Sequence, residues 1–497
     1  MGKIFFTSIF ALLALYGNGQ ITSSTFLPHL DFKTPKNGGP EAAAVGDLNG
    51  DNKPEIAVVD FNGVGLSIFK NSCKSGKMDS TSFALRQDFT VAPNAGMVRL
   101  ADMDGDLKLD VVVASYDQIT VLRNISTTDS IMLDTPLYLD AIIYANDYEL
   151  ALDDMDGDNK TDIIFLANTI GNTSYFSIIT NNIQNPGSLS SASFNARVDY
   201  VAGASFIQTV STGDIDGDGK SDVIVSLQDT ALIYRNLSTG VINTNSFNTS
   251  PDTLLHIDAD DIAVQDIDKD GKKDLIFSEG QTWLTLVRNN NNPGDINNNN
   301  FDSYAKFNLN PGGGTNPQRL TINDFDGDNK VDIAVANVGI SSVSVLRNVS
   351  TPGSLTTSSL NDPVNLTTPD SPNGMASADL DGDGKIDIVS VDGNNGIGSL
   401  ISIFQNNISG LYTSVSSITP LTDLNIYPNP SSGLINIQAV NTISKVTIST
   451  VTGVQQFSNT YNSSSITINL ADFNKGLYMV EISSADGSRS VSKLSVE

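Results

Sequence analysis

The chain has 497 residues, enough for more than one domain, and a net charge of −28 from 56 acidic and 28 basic residues. A surface this acidic repels nucleic acid and anionic lipid, so neither is an expected partner. One cysteine (Cys73) and two histidines (His29 and His256) exclude a disulfide framework and a cysteine-based zinc site, and they disfavour Ser-His-Asp or Cys-His catalysis.

The first 19 residues have the pattern of an export signal. Lys3 supplies a positive charge, a short apolar run covers 4–16, and small residues precede a cleavage point at Gln20. The apolar run is too short to span a bilayer comfortably. A buried N-terminal helix is the alternative. We therefore predict a signal peptide over 1–19 and an exported protein without a transmembrane segment.

A nine-residue acidic pattern recurs seven times, and the copies begin 52–60 residues apart. We call these segments acidic loops 1 to 7, and they cover 47–55, 102–110, 154–162, 214–222, 266–274, 324–332 and 379–387. Each is followed by a β-branched run, such as IAVVD or VVVAS, which predicts a strand. A second strand then ends in a polar residue and Asn, as in VLRN. Repeats of about four strands predict the blades of a seven-bladed β-propeller.

A displaced strand predicts how the ring closes. Pairs of apolar residues six apart follow most of the strand pairs, as in Phe83 and Phe89. One such pair, Phe26 and Phe32, instead precedes the first acidic loop. We expect this N-terminal strand to complete the last blade, because closure hides the two free sheet edges. An open solenoid is the alternative, but it would not need the displaced strand.

The acidic loops have the oxygen donors of a calcium site. Positions 1, 3, 5 and 9 carry side-chain oxygens in every copy. Position 7 is always Lys, which would offer its backbone carbonyl and point its side chain to water. Metal-free Asx-turns are the alternative. They do not explain 27 carboxylates, three in loop 1 and four in each other loop, clustered without counter-charge. Seven calcium ions would reduce the net charge from −28 to −14.

Position 6 favours the same interpretation, because six of the seven residues there are Gly or Asn, which tolerate a left-handed backbone. Leu107 is the exception, and Lys269 replaces Gly at position 4 of loop 5. We expect up to seven structural Ca²⁺ ions, with affinities near the extracellular range of about 10⁻⁴–10⁻³ M. The predicted metal ligands are Asp47, Asn49, Asp51, Lys53, Glu55, Asp102, Asp104, Asp106, Lys108, Asp110, Asp154, Asp156, Asp158, Lys160, Asp162, Asp214, Asp216, Asp218, Lys220, Asp222, Asp266, Asp268, Asp270, Lys272, Asp274, Asp324, Asp326, Asp328, Lys330, Asp332, Asp379, Asp381, Asp383, Lys385 and Asp387.

The pattern DxDGDxxxD followed by a β-strand resembles FG-GAP/VCBS repeats, which are the blades of integrin-α-type propellers. The resemblance covers residues 24–410, and seven copies in register make it specific. It implies that each loop joins the first two strands of a blade and binds calcium. It also implies a surface adhesion or binding protein, or a module beside an enzyme domain. No separate catalytic domain remains in this sequence.

The C-terminal residues differ from the repeats. A Ser/Thr-rich linker is predicted over 411–422, and short strands separated by turns over 423–497 predict a small β-sandwich. The predicted domains are therefore a signal peptide (1–19), a propeller (20–410), this linker and the sandwich. YPNPSSG at 427–433, KGLYMVEI at 475–482 and KLSV at 493–496 resemble the C-terminal sorting domain of the type IX secretion system of Bacteroidota. That resemblance implies export across the outer membrane by the type IX machinery. An accessory binding sandwich is the alternative.

Three functions compete. The predicted function is a secreted or cell-surface calcium-binding protein that adheres to a glycan or protein ligand. The alternatives are a polysaccharide lyase or hydrolase on a calcium propeller and a purely structural surface component. We predict no enzyme activity, because the visible acids belong to the loops and no other cluster of Asp, His, Tyr and Arg stands out.

Overall fold

The computed structural model describes residues 20–35, 39–63, 65–141, 148–168, 173–203, 207–393, 399–408, 424–431, 433–450, 455–470, 473, 475–484 and 489–496. The predicted signal peptide and the predicted linker lie outside these residues. The chain divides into two compact units, Met1–Gly410 and Leu411–Glu497. Within the described ranges, no helix is long and apolar enough to cross a bilayer.

The first unit consists of seven four-stranded antiparallel sheets. Its only helical segments in the described residues are three 3₁₀ turns, at Ser191–Ser193, Asn298–Asn300 and Val338–Ile340. The strands in chain order are β1 (Leu30–Lys33), β2 (Pro40–Gly46), β3 (Glu55–Asp60), β4 (Leu66–Lys70), β5 (Leu85–Phe89), β6 (Ala95–Ala101), β7 (Asp110–Ser115), β8 (Gln118–Leu122), β9 (Leu137–Asp140), β10 (Leu150–Asp153), β11 (Asp162–Asn168), β12 (Ser174–Ile179), β13 (Val198–Gly203), β14 (Ile207–Gly213), β15 (Asp222–Leu227), β16 (Thr230–Tyr234), β17 (Asp252–Leu255), β18 (Ala259–Gln265), β19 (Asp274–Glu279), β20 (Trp283–Val287), β21 (Ala305–Asn308), β22 (Pro317–Asn323), β23 (Asp332–Asn337), β24 (Ser342–Leu346), β25 (Val364–Thr367), β26 (Pro372–Ala378), β27 (Asp387–Asp392) and β28 (Leu400–Phe404).

Blades 1 to 6 each contain four consecutive strands, beginning with β2–β5 and ending with β22–β25. Blade 7 contains β26, β27 and β28, and its outer strand is β1. Phe32 in β1 pairs with Ile401 in β28, and Phe26 pairs with Asn406 just beyond β28. The first strands of adjacent blades contact one another, and β2 contacts both β6 and β26. The all-β, seven-bladed propeller and its closure by the N-terminal strand are therefore confirmed, and the open solenoid is wrong.

The core lies between the blades. In β3, Ala57 and Val59 pack in a cluster with blade 2, whereas Ile56 and Val58 pack in a cluster with blade 7. All six residues of β3 are buried, and the equivalent strand β7 is buried in the same way. A strand that is covered on both faces needs apolar residues at successive positions. This burial explains why the second strand of each blade reads as a continuous apolar run.

Asp60, the last residue of β3, is a polar exception in this core. It is 1% exposed, and neither carboxylate oxygen has a hydrogen-bond partner among the described residues. Burial raises the pKa of Asp60 to about 7, although the charge of Arg86 acts in the opposite direction. The folded state therefore disfavours the ionised carboxylate, so its penalty is absent below about pH 4 and complete above about pH 7.

We expect Asp60→Asn to raise the free energy of unfolding by about 2–3 kcal/mol at pH 8 and to leave it nearly unchanged at pH 4. Urea unfolding of both proteins across this pH range would measure the difference. Asp362→Asn, at an exposed position, is the control and should change the free energy of unfolding by less than about 0.5 kcal/mol. A constant difference between Asp60→Asn and the parent at all pH values would contradict the assigned cause.

The second unit is one curled five-stranded sheet. Its strands are β29 (Asn425–Tyr427), β30 (Leu434–Thr450), β31 (Gln455–Asn469), β32 (Gly476–Ser484) and β33 (Arg489–Val496). The long β30 pairs with β31 along one edge, while its other edge pairs first with β29 and then with β32.

The curled sheet replaces the two separate layers of the predicted sandwich. The register of β30 shifts between Gln438 and Ile443, and such irregularities let a strand bend. Residues from both halves of β30, including Ile435 and Val446, share a core with Val480. Part of the predicted series of short strands is therefore one long strand, β30.

Candidate functional site

The acidic loops each join the first and second strands of a blade, so all seven lie on one face of the propeller. Position 6 has a positive φ in every loop, including 64° at Asn52 and 70° at Leu107. Position 4 also has a positive φ, and Lys269 adopts 59° there in loop 5. Left-handed residues at positions 4 and 6 turn the chain sharply, and this turn brings positions 1, 3, 5 and 9 together. Leu107 and Lys269 therefore do not change the turn.

The carboxylates stabilise this turn by accepting backbone hydrogen bonds. In loop 4, Asp214 accepts from the N–H groups of Asp218 and Gly219, both at 3.0 Å. Asp216 also accepts from the Asp218 N–H at 3.0 Å, and Asp218 accepts from the Lys220 N–H at 3.0 Å. These are Asx-type contacts, so the alternative reading of the sequence describes real hydrogen bonds. They leave further carboxylate lone pairs for a cation.

Several loops bring together carboxylates that could hold a metal ion. In each group, one oxygen per residue lies within 4.8 Å of the others. The groups include Asp102, Asp104 and Asp110; Asp154, Asp156 and Asp162; Asp214, Asp216 and Asp218; Asp266, Asp268 and Asp274; and Asp324, Asp326 and Asp332. Carboxylate oxygens are hard donors of the type preferred by calcium and magnesium. The donor set therefore fits a hard divalent cation.

The position 9 carboxylate is fully buried in every loop. Asp222 accepts hydrogen bonds from the N–H groups of Ile215 at 3.0 Å and Asn236 at 2.8 Å. Burial nevertheless raises the pKa of Asp222 to about 7, the hydrogen bonds acting in the opposite direction. The pKa of the equivalent Asp387 is raised to about 8 for the same reason. Without a cation, these side chains carry a large cost for being ionised.

The position 7 lysines differ from the prediction, because their side chains do not all point to water. The Lys53 ammonium donates to the Cys73 carbonyl oxygen at 2.8 Å, and that of Lys108 donates to Ser126 at 3.0 Å. In loop 3, the Lys160 ammonium instead pairs with Asp158 at 2.7 Å. These ammonium groups stabilise the loop, or fasten it to the segment after the third strand.

Arginine supplies a counter-charge that the sequence interpretation missed. Arg123 and Arg235 donate through Nε to Asp104 and Asp216, each at 2.5 Å. Arg288 donates to Asp268 in the same way at 2.8 Å. The equivalent residue of blade 6, Arg347, pairs with Asp326 and Asp328. Four acidic loops therefore have a guanidinium partner on position 3, and the expectation of no counter-charge is wrong for them. The Arg-Asn pair that directly follows the third strand is the sequence signal for this contact.

The asparagine that follows joins each blade to the one before it. The Asn236 amide donates to the carbonyl of Ser221 in its own blade and to that of Met155 in blade 3, both at 2.9 Å. Asn71 closes the ring by donating to Leu380 of blade 7 at 2.8 Å. Every blade has this inter-blade hydrogen bond, made by Asn71, Asn124, Asn181, Asn236, Asn289, Asn348 and Asn406. The ring of amides fixes the acidic loops relative to their neighbours.

The fold and these loops define a β-propeller built from repeated acidic turns. Two family models match the chain: the FG-GAP-like repeat at residues 214–277 and 324–390, and the secretion system C-terminal sorting domain at residues 425–497. The chain therefore carries FG-GAP-like repeats and a type IX sorting domain. It is exported by type IX secretion to the cell surface or beyond, as predicted. The repeats and the sorting domain point to a non-enzymatic surface protein.

Solved structures that match this chain are distant in sequence. A lectin from Agrocybe aegerita, whose structure shows recognition of non-reducing terminal N-acetylglucosamine, is 18% identical, covers 67% of this chain and 81% of its own, and has a TM-score of 0.41. The extracellular domain of a putative hybrid two-component system from B. thetaiotaomicron is 12% identical, covers 95% of this chain and has a TM-score of 0.39. The chain spans 60% of that second structure. No curated protein matches the sequence.

Proposed function

We propose that this exported propeller is a calcium-dependent ligand-binding protein that acts as an adhesion module for a glycan or protein ligand. The observation that carries the calcium assignment is the convergence of carboxylate oxygens in repeated loops on one propeller face. Positions 1, 3, 5 and 9 would supply side-chain oxygens, and the lysine at position 7 would supply its backbone carbonyl. The proposed calcium ligands are the residues predicted from the sequence at these five positions of all seven loops.

The calcium ions would have a structural role. Each loop lies between the first two strands of its blade, and its position 9 carboxylate bonds both the loop and the end of the third strand. A cation beside Asp222 would favour the ionised carboxylate and so offset its desolvation. In loops with an arginine, the guanidinium and the cation would share the position 3 carboxylate. Calcium would thus stabilise the blades that present the ligand site.

We expect the double substitution of Asp216 and Asp218 by Ala to lower the melting temperature clearly more in calcium than in chelator, where only the loss of the loop hydrogen bonds and of the Arg235 contact remains. The variant loses two predicted ligands of loop 4, so it cannot gain stability from mass action at that site. Differential scanning fluorimetry of the full chain in about 5 mM calcium, a few times the Kd expected for such loops, and in EGTA would measure both values. The exposed Asp362→Ala is the control. An equal loss in both conditions would contradict a metal role for loop 4.

The binding function is tested by incubating the mature full chain with insoluble polysaccharides and extracellular matrix proteins. Each incubation is performed with calcium and with chelator, and both the retained protein and the released soluble sugar are measured. Retention without released sugar, lost in chelator, is the expected result. Released sugar would show an enzyme instead. Absence of retention on every surface would contradict the adhesion role.

A further inference from the structure

Three blades share a polar motif on their outer strands that is separate from the acidic loops. A basic residue lies two positions before an aspartate, and a serine of the neighbouring third strand donates to the same carboxylate. The basic residues contact these carboxylates at 2.6–2.8 Å. The three sets are His29, Asp31 and Ser402 in blade 7; Arg86, Asp88 and Ser67 in blade 1; and Arg197, Asp199 and Ser177 in blade 3.

In two of these blades, the basic side chain has a second contact. The Arg86 guanidinium reaches across the boundary between blades 7 and 1 and donates to the Lys33 carbonyl oxygen at 3.2 Å. The His29 ring packs edge-on against Phe404, with 5.6 Å between ring centroids. Arg197 in blade 3 has polar contacts only with Asp199 among the described residues. It lines an open groove between blades 2 and 3 of about 490 Å³.

This groove, which we call the blade 2–3 groove, combines an aromatic side chain with fixed polar groups. Tyr138 lines it and is 44% exposed, while Phe194 and Ile179 form apolar parts of its wall. Arg197 holds Asp199 through two hydrogen bonds, Nε to Oδ1 at 2.7 Å and Nη2 to Oδ2 at 3.0 Å.

Further hydrogen bonds order the polar side of the groove. The Ser177 hydroxyl donates to Asp199 at 2.7 Å, and the Asn195 amide donates to Thr180 at 2.9 Å. These contacts fix the polar groups before any ligand arrives, which reduces the entropy cost of binding. The volume falls within the range of about 300–1,000 Å³ usual for ligand pockets.

We propose that the blade 2–3 groove binds a neutral sugar ring of a glycan, with Tyr138 as its aromatic platform and Arg197 and Asp199 as partners of adjacent hydroxyls. A sugar hydroxyl both donates and accepts, so a guanidinium beside a carboxylate matches a pair of neighbouring hydroxyls. The aromatic ring contacts the apolar C–H face of the sugar. Asp140 and Asp199 outweigh the single Arg197, so the groove disfavours anionic sugars.

This inference rests on the proposed binding function and assigns it a site and a ligand class. The test uses the mature full chain in calcium and measures its mobility in native gels that contain a soluble neutral polysaccharide: laminarin, xyloglucan, galactomannan or mannan. Polygalacturonate is the anionic comparison. We expect retardation by at least one neutral polysaccharide and none by polygalacturonate. Arg197→Gln and Tyr138→Ala are each expected to weaken this binding about tenfold or more.

Arg86→Gln is the matched control, because it changes the same motif at the boundary between blades 7 and 1, away from the blade 2–3 groove, and should bind as the parent does. Melting temperatures close to that of the parent would show that the variants are folded. Full retardation of both groove variants, or no retardation of the parent by any neutral polysaccharide, would overturn the assignment. Calcium-dependent retention on a matrix protein alone would overturn the groove and leave the proposed function intact. Sugar binding that is lost in Arg197→Gln but insensitive to chelator would support the groove and contradict the calcium dependence.

Discussion

Removal of calcium is expected to lower the free energy of unfolding of the propeller by about 10 kcal/mol relative to its value in about 10 mM calcium. For a site with a Kd of about 10⁻³ M, this calcium concentration is about ten times the Kd. Binding at each such site then stabilises the folded state by about 1.4 kcal/mol by mass action. Seven independent sites give the total. The position 9 carboxylates add a physical reason, because burial raises the pKa of Asp222 to about 7 and the cation would offset that cost.

Urea unfolding of the full chain in calcium and in EGTA would measure this effect, with tryptophan fluorescence reporting on Trp283 of blade 5. Magnesium at the same concentration is the control. It prefers octahedral sites with retained water, so we expect a much smaller stabilisation. Calorimetric titration with calcium should also show several sites per chain. Equal stability in calcium and EGTA would show that the hydrogen-bonded loops are complete without metal.

Asn236→Ala is expected to lower the free energy of unfolding by about 3–5 kcal/mol. The amide group donates to the carbonyl oxygens of Met155 and Ser221, and its oxygen accepts from the Ser238 N–H at 2.9 Å. Alanine removes all three hydrogen bonds, and each lost bond costs about 0.5–1.5 kcal/mol, or more where a buried group is left unsatisfied. The substitution also removes a hydrogen bond between blade 4 and blade 3, because Met155 belongs to blade 3.

Urea unfolding in calcium would measure this loss. Asn245→Ala, at an exposed position of the same blade, is the matched control and should change the free energy by less than about 0.5 kcal/mol. If calcium binding at loop 4 depends on the inter-blade asparagine hydrogen bonds, Asn236→Ala will also weaken calcium binding at that loop. A loss no larger than that of the Asn245 control would contradict the role assigned to the amide.

The sequence alone predicted the propeller because each blade repeats the same local pattern. The acidic pattern marks the turn between two strands, and the displaced Phe26 and Phe32 mark the strand that closes the ring. The sorting domain was predicted for a similar reason, since its motifs are short local patterns: one lies between β29 and β30, and the other two lie along β32 and β33. The calcium ligands remain a prediction, supported by the converging carboxylates and tested by the chelation experiment.

The tertiary structure decided the features that depend on distant residues. Asn236 contacts Met155, which lies 81 positions away in the chain and belongs to another blade. Arg235 reaches Asp216 from the third strand, and Tyr138 of blade 2 shares a groove with Arg197 of blade 3. Hydrophobic periodicity encodes which face of a strand is buried, but it does not encode which polar groups meet across a blade boundary.

For the same reason, the local strand pattern of the C-terminal unit fitted two layers as well as one curled sheet. Only the pairing of β30 with β29, β31 and β32 distinguished them.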